Sequence, residues 1–347
     1  MKIKLTFLLF FVIFFMGIES ISQNYKAGAI AFYNLENLFD TIDTPGVRDT
    51  EFTPAGSKKW TGDKYWEKIH NMATVISKIG KKEGLPGPAV IGVSEIENRS
   101  VLEDLVKDEA LKEQNYRIVH YDSPDKRGVD VALLYQPRYF KVTNTSSVPL
   151  LINGDNGKRL YTRDQLVVSG FFDGEEMHFI VNHWPSRRGG EARSRPLRDS
   201  AAALTRSIVD SILNLNSKAK IVVMGDLNDD PINESLTVYL KAAGDKKKLK
   251  DNDMYNPMYK MYKKGIGSLA YRDNWNLFDQ IILSQAFLGN DYSTYKFRVA
   301  HVFNDKMLIN KTGRFKGYPH RTYVGDTYKA GYSDHFPVYI IILKEVK

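Results

Sequence analysis

Near its end the chain reads GYSDHFPVYIII over residues 331–342, an Asp-His pair set directly before a run of apolar and β-branched residues. An imidazole titrates near neutrality, and a neighbouring carboxylate can fix its tautomer and hold its positive charge. Asp334 and His335 are therefore delivered to the end of a strand-like run as groups able to move or stabilise charge. Other apolar runs are bounded in the same way. VIGVSEIEN places Glu95 behind a strand, IVNHWPS places Asn182 and His183, IVVMGDLND places Asp226 and Asn228, and NLFDQIILS places Asp279. Each alone has a structural use, because Asp and Asn close turns. Together they point to a site gathered from many strands.

Many strands are indeed legible. AIAFYNL, AVIGVSEI, YRIVHY, VDVALLY, DQLVVSGFF, MHFIVNHW, KIVVMGDL, FDQIILS, FRVAHVF and PVYIIIL are each β-branched or aromatic and bounded by Gly, Pro, Asp or Asn. They are too many for one open sheet. Helical spacing predicts a helix over 64–79, with Trp66, Ile69, Ala73 and Ile76 on one face, and another over 197–213, with Leu197, Ala201, Leu204, Ile208 and Ile212 on one face. No long Pro/Ser-rich linker and no short-period repeat divides residues 23–347, which are expected to form one domain of two packed sheets with helices outside.

Composition agrees with a large buried core: 347 residues, 43% hydrophobic and 26% charged. Lys2 and Lys4 precede LTFLLFFVIFFMGI and then the small, polar ESISQ, which reads as an export signal over residues 1–22, short for a membrane span, with an uncleaved N-terminal anchor as the alternative. A periplasmic, cell-surface or extracellular location is expected, with no membrane span in the mature chain. The absence of cysteine excludes a disulfide framework, thiol catalysis and a lipid-anchored lipoprotein. Net charge is +8; Lys2, Lys4 and Glu19 leave with the signal and +7 remains. That balance suits a polyanionic substrate, although it is equally the balance of an ordinary basic exported protein.

In this order, FYNLENLFD, SEIEN, RGVDVALLY, NHWPSRRGG, GDLNDDP, FDQIILS and YSDHFPV closely resemble the endonuclease/exonuclease/phosphatase superfamily, over residues 29–342. Its members include pancreatic-type deoxyribonucleases, abasic-site endonucleases, inositol polyphosphate phosphatases and bacterial sphingomyelinases. The resemblance implies a four-layer α/β sandwich, two packed mixed β-sheets flanked by helices, in agreement with the strand count. It also implies phosphate-ester hydrolysis, which requires charge neutralisation on the phosphoryl oxygens, an in-line water and a proton for the leaving oxygen.

By the same resemblance Glu95 and Asn34 are ligands of a hard divalent cation, Mg²⁺ or Mn²⁺, with Glu36 and Asn37 as rivals to Asn34 and with Asp334 a first- or second-metal ligand. Asp226 and Asn228, at i and i+2, project to one side in extended backbone and can grip a water or a phosphoryl oxygen. In the family the matching residues orient or deprotonate the attacking water. A turn closing the strand is the structural alternative for the same pair. Asp279 resembles the residue that orients the C-terminal histidine, which makes Asp279 and His335 a dyad, and Asp130 is a candidate to orient His183. Which histidine acts as the acid stays open, and His70, His120, His178, His301 and His320 are read as structural.

Arg163, Arg187, Arg188, Arg198 and Arg321 are candidates for substrate phosphate, since a guanidinium can hold two phosphate oxygens at once; solvated surface arginines are the alternative for each. The stretch DKKKLKDNDMYNPMYKMYKKG over 245–265 interleaves Lys with Tyr and Met, as a nucleic-acid track or as a solvated insertion. The expected protein is an exported, metal-dependent phosphoesterase, a nuclease with nucleic acid as substrate, acting as a monomer with no obligate protein partner. Two alternatives are kept: a phosphatase or phospholipase-like enzyme on an inositol phosphate, sugar phosphate or lipid head group, and an inactive member that binds a polyanion.

Overall fold

The structure is a computed structural model that describes residues 24–154 and 156–346; the expected export signal lies outside them. Its framework begins with β1 (Tyr25–Leu38), helix α1 (Gly62–Lys78), β2 (Val90–Ile96), helix α2 (Arg99–Lys107), β3 (Arg117–His120), β4 (Asp130–Tyr135) and β5 (Phe140–Val148). It continues with β6 (Gln165–Phe172), β7 (Glu175–His183), helix α3 (Glu191–Leu215), β8 (Lys220–Asp226), β9 (Ala242–Ala243) and β10 (Met254–Tyr255). A short helix α4 (Met258–Tyr262), β11 (Asp279–Leu283), β12 (Lys296–Val302) and β13 (Val338–Glu345) complete it.

The strands form a six-stranded sheet, order β12-β13-β1-β2-β4-β3, and a seven-stranded sheet, order β9-β10-β11-β8-β7-β6-β5. Each sheet is built around a parallel pair, β1 with β2 and β7 with β8, and each pair is joined by a crossover that contains a long helix, α1 or α3. Antiparallel strands flank both pairs. Parallel neighbours need such crossovers, and in sheets of this kind ligands bind outside the carboxyl ends of the parallel strands.

Apolar residues fall into layers between these elements. One cluster joins Ile69, Met72 and Ile76 of α1 to Tyr33, Ile91 and Val93 of the first sheet. A second lies between the sheets and includes Phe32, Val90, Leu133, Val181, Met224 and Ile281. The third packs Ala201, Ala202 and Val209 of α3 on Ile180, Ile221 and Val223. Helix, sheet, sheet and helix are thus stacked as the sequence led us to expect. Gly92 permits the close approach of the sheets, since a Cβ there would lie 2.6 Å from Met224 Sδ and 3.1 Å from Val181 Cγ1.

Two expectations change. Trp66 is not on the buried face of α1 but 55% exposed, its ring edge-on to Tyr65. The stripe runs instead through Tyr65, Lys68, Ile69, Met72, Ala73, Val75 and Ile76, so a lysine holds a core position. Strand β5 escaped the sequence reading because FKVTNTSSV is largely polar, as suits an edge strand paired only with β6.

Candidate active site

The expected site residues converge where the parallel strands end. Register sets three of them in one row across the second sheet: Asp226 at the end of β8 is paired with His183 of β7 on one side and with Asp279 of β11 on the other. Gly225 just before it cannot be replaced without collision, because a Cβ would lie 2.3 Å from the Asn182 carbonyl oxygen. From the other sheet, Asn34 Nδ2 donates to Asp226 Oδ2 at 3.1 Å and ties the two strand ends together.

Two bulges bring the first sheet's residues into the crevice. The β1–β2 register shifts between Asn34 and Leu38, where Glu36 and Asn37 have φ of 48° and 52°. The β2–β4 register shifts between Ser94 and Ile96, leaving Glu95 at φ 58°. A bulge re-aims its extra residue, and left-handed backbone at a glutamate is a strain that neighbouring structure must hold. Here the Asn37 amide donates to Glu95 Oε2 at 3.1 Å, while Glu95 Oε1 stands 3.7 Å from His183 Nε2. His183 Nε2 is also 3.7 Å from Asp226 Oδ2.

The Asp279–His335 dyad is present, with Nδ1 of the ring 2.7 Å from Asp279 Oδ2. That same oxygen accepts from Ser268 Oγ at 2.5 Å. Ser333 Oγ receives the His335 amide and donates to the Asn34 carbonyl at 2.7 Å, which anchors the SDH segment on β1. Burial opposes a charge on His335, but Asp279, Asp226 and Asp334 outweigh it and raise its pKa well above the ordinary value. Burial, with Arg163, Arg127 and His335, drives His183 well below it. The two imidazoles at this crevice are thus shifted in opposite directions. Burial pushes Asp226 up to about 7, opposed by His335 and reinforced by Asp279 and Glu95.

Asn228, at φ 51°, donates its amide to Asp226 Oδ1 at 3.0 Å, so the turn foreseen as its structural alternative is formed. Its side-chain nitrogen donates to the Trp184 carbonyl, also at 3.0 Å. Asp334 pairs with Arg321 at 3.0 Å. Glu36 accepts from Arg321 Nε at 2.9 Å and from the Thr322 amide at 2.8 Å. Beneath them Lys68 is buried and donates to Thr322 Oγ1 at 2.7 Å and to the Tyr332 carbonyl. Burial raises Glu36 and lowers Lys68. Glu36 as an Arg321 partner and Lys68 as the buried cation were missed by the sequence reading. Lys68 could have been found, because helical spacing sets it on the apolar stripe of α1.

Several candidates are elsewhere engaged. Asp130 does not orient His183: its Oδ2 is 3.0 Å from His120 Nε2, its Oδ1 accepts from the Ser123 amide, and among the described residues no hydrogen-bond partner meets His183 Nδ1. Arg163 is buried, paired with Asp125 at 3.0 Å and donating to the His183 and Trp184 carbonyls. Arg198 is 0% exposed and paired with Asp229 at 2.8 Å. Arg187 holds the turn after β8, donating to the Asn228 carbonyl and to Asp229 while lying 4.5 Å from the Phe278 ring. These three arginines build the site's walls; of the five candidates for substrate phosphate, Arg188 is exposed and Arg321, 45% exposed, lies beside Glu36 and Asp334. The basic end of the 245–265 stretch is displaced as well, although Tyr262 near its other end comes close to Asp230 and Arg187. Lys246 Nζ sits 5.1 Å from the ring of Tyr255, which pairs with Leu283 at the end of β11 remote from Asp279.

Glu95, Asn34 and Asp334 carry oxygens of the kind a hard divalent cation takes, although Asn34 Oδ1 accepts the Glu36 amide at 2.9 Å and Asp334 is paired with Arg321. A second group, His120, Asp122 and Asp130, brings three ligand atoms within 4.8 Å of one another at the start of β4. It is a candidate for a divalent metal, and His120 is one of its three possible ligands. Asp130 is paired with Ile96, next to Glu95, so the two sets are neighbours on one sheet edge.

The model of the Endonuclease/Exonuclease/phosphatase family matches residues 29–344. The chain belongs to that family. Among solved structures, it is similar to an endonuclease/exonuclease/phosphatase family protein from Bacteroides thetaiotaomicron, at 16% identity and TM-score 0.55, over 94% of this chain and 98% of the other. TDP2 from D. rerio complexed with single strand DNA product is similar at 11% identity and TM-score 0.53, over 91% and 98%. A mannosyl-6-phosphatase from Bacteroides thetaiotaomicron is similar at 16% and 0.52, over 92% and 100%. At such identities the likeness is one of fold. No curated protein matches the chain. Endonuclease/exonuclease/phosphatase membership makes it a metal-dependent phosphoesterase by fold.

Proposed function

We propose that this endonuclease/exonuclease/phosphatase protein is an exported phosphodiesterase, using Mg²⁺ or Mn²⁺ and acting on nucleic acid. The observation that carries the reading is the position of Arg321. It lines two cavities beside the site, one of about 370 Å³ bounded by Glu36, Asn37, Arg48 and Arg127, and one of about 590 Å³ that includes Asp334. A phosphodiester carries a substituent on each of two ester oxygens, and a site open on both sides of one guanidinium has room for both. A phosphomonoester needs only one.

Glu95, Asn34 and Asp334 would hold the cation, which when bound neutralises phosphoryl charge. Asp226, fixed by Asn34 and by the Asn228 amide, is placed to orient water and take its proton. His335, kept cationic by Asp279, stabilises the crowded negative charge of the transition state. His183 presents Nε2 to the same space.

A phosphatase reading is favoured by one finding: the Lys246–Lys248 run lies at the remote sheet end, and Arg163 and Arg198 are consumed internally, so fewer cations can track a polymer. A panel of duplex DNA, single strands, RNA, a small phosphodiester, phosphomonoesters and sphingomyelin, run with Mn²⁺ and with chelator, separates the readings. The proposal expects chelator-sensitive turnover of diesters; turnover confined to monoesters would replace it with the phosphatase.

A further inference from the structure

The cavity of about 590 Å³ has walls built from two segments outside the sheets. One is a hairpin, Leu269–Tyr271 paired with Asn274–Asn276, whose turn residues Arg272 and Asp273 have φ of 48° and 64°. Such a turn favours Asn and Gly, so an arginine held there is a departure that calls for a reason. The other wall is the segment 310–320. Tyr318 locks the walls together: its hydroxyl accepts from the Asp273 amide at 2.7 Å and donates to Asp273 Oδ1 at 2.5 Å. Trp275 stacks on Phe336, the residue after His335, at 6.0 Å and 16°. The cavity is thus preorganised and fastened to the catalytic segment.

Its lining pairs exposed rings with cations that have no acidic partner. Tyr271 is 62% exposed and Phe315 43%. The Arg272 guanidinium lies 5.2 Å from the Tyr271 ring, and that of Arg314 lies 6.0 Å from the Phe315 ring. Among the described residues, Arg272, Arg314 and Lys329 enter no ion pair with a carboxylate. Aromatic faces stack any base, and guanidiniums bind the phosphates beside it. In a duplex the base faces are already stacked on their neighbours.

We infer that this cavity is the subsite that selects substrate, taking an unpaired nucleobase on Tyr271 and Phe315 and its phosphate on Arg272 and Arg314, so that single strands are preferred. The inference rests on the phosphodiesterase reading above and adds the substrate class.

The test compares Mn²⁺-dependent cleavage of a short single strand, of the same sequence in a blunt duplex, and of bis(4-nitrophenyl) phosphate. Wild type is set against Tyr271→Ala with Phe315→Ala, Arg314→Gln, and Tyr271→Phe as the conservative control. The double variant is expected to raise KM for the single strand about tenfold or more, with a much smaller change in kcat and in small-diester turnover, and to narrow the preference over duplex. Tyr271→Phe should keep the wild-type KM. Equal losses on all substrates, or an unchanged KM, overturn the inference while leaving the phosphodiesterase reading in place. Wild type that cleaves no strand, yet hydrolyses a sugar phosphate, overturns both.

Discussion

Glu95 illustrates what a residue contributes beyond its charge. Its left-handed backbone aims the carboxylate between Asn37 and His183. Glu95→Gln keeps the shape and removes the charge, and it should weaken Mn²⁺ binding by about tenfold or more without unfolding the chain. Calorimetric titration reads this directly; equal affinities would take Glu95 out of the ligand set. His335 and Asp279 should behave as a unit. His335→Ala, Asp279→Ala and the double variant should cost similar amounts in log kcat, whereas costs that add would show that the dyad does not act as one. Asp230 gives a pH dependence away from the proposed ligands. Burial raises it to about 6, against the pull of the Leu277 amide and Arg187. The folded chain then binds that proton more tightly than the unfolded chain, so Asp230 lowers stability as pH rises from about 4 to 6, on the order of 2 kcal/mol, and adds nothing further above. Asp230→Asn should flatten that fall in urea denaturation series; an unchanged slope would contradict it. At this scale the acids and histidines were legible because each bounds an apolar run. Arg163 and Arg198 were not, because Asp125 and Asp229 reach them only in the folded chain.

Elements were legible to the extent that one face of each is buried. The strands with continuous apolar runs were recognised, and β5 was not, since an edge strand can be polar without loss. The bulges at Glu36–Asn37 and Glu95 could not be read, because nothing in FYNLEN or SEIEN marks an extra residue; only pairing with the neighbouring strand shows it. On α1 the stripe was displaced by the unexpected burial of Lys68, which finds Thr322 and Tyr332 as partners. Two substitutions test this packing. Gly92→Ala pushes against Met224 and Val181 between the sheets and should destabilise the protein by about 1–3 kcal/mol. Trp66→Ser, on the exposed side of α1, should change stability by less than about 0.5 kcal/mol. Chemical denaturation of both variants checks the pair, and the reverse order would mean that the helix face and the sheet contact are misplaced.

For the molecule as a whole, two βαβ units set back to back bring four parallel strand ends to one edge, and the antiparallel strands β11 and β13 add Asp279 and the SDH segment. That convergence was legible as an ordered series of polar strand ends. Substrate class was less so, because net charge does not say where the cations stand: the Lys246–Lys248 run is remote, while Arg272, Arg314 and Arg321 surround the cavity at the site. Among the described residues no helix is long and apolar enough to cross a membrane. The row of His183, Asp226 and Asp279, completed by His335 and a divalent cation, is proposed to hydrolyse phosphodiesters. The most direct measurement is kcat/KM for a single-stranded oligonucleotide and for a sugar phosphate in the same Mn²⁺ buffer, with Asp226→Asn as the control for the site. Chelator-sensitive cleavage of the oligonucleotide at the higher kcat/KM is expected, reduced by about a hundredfold or more in Asp226→Asn. Rapid hydrolysis of the sugar phosphate with the oligonucleotide left intact, or oligonucleotide cleavage indifferent to Asp226→Asn, would contradict it.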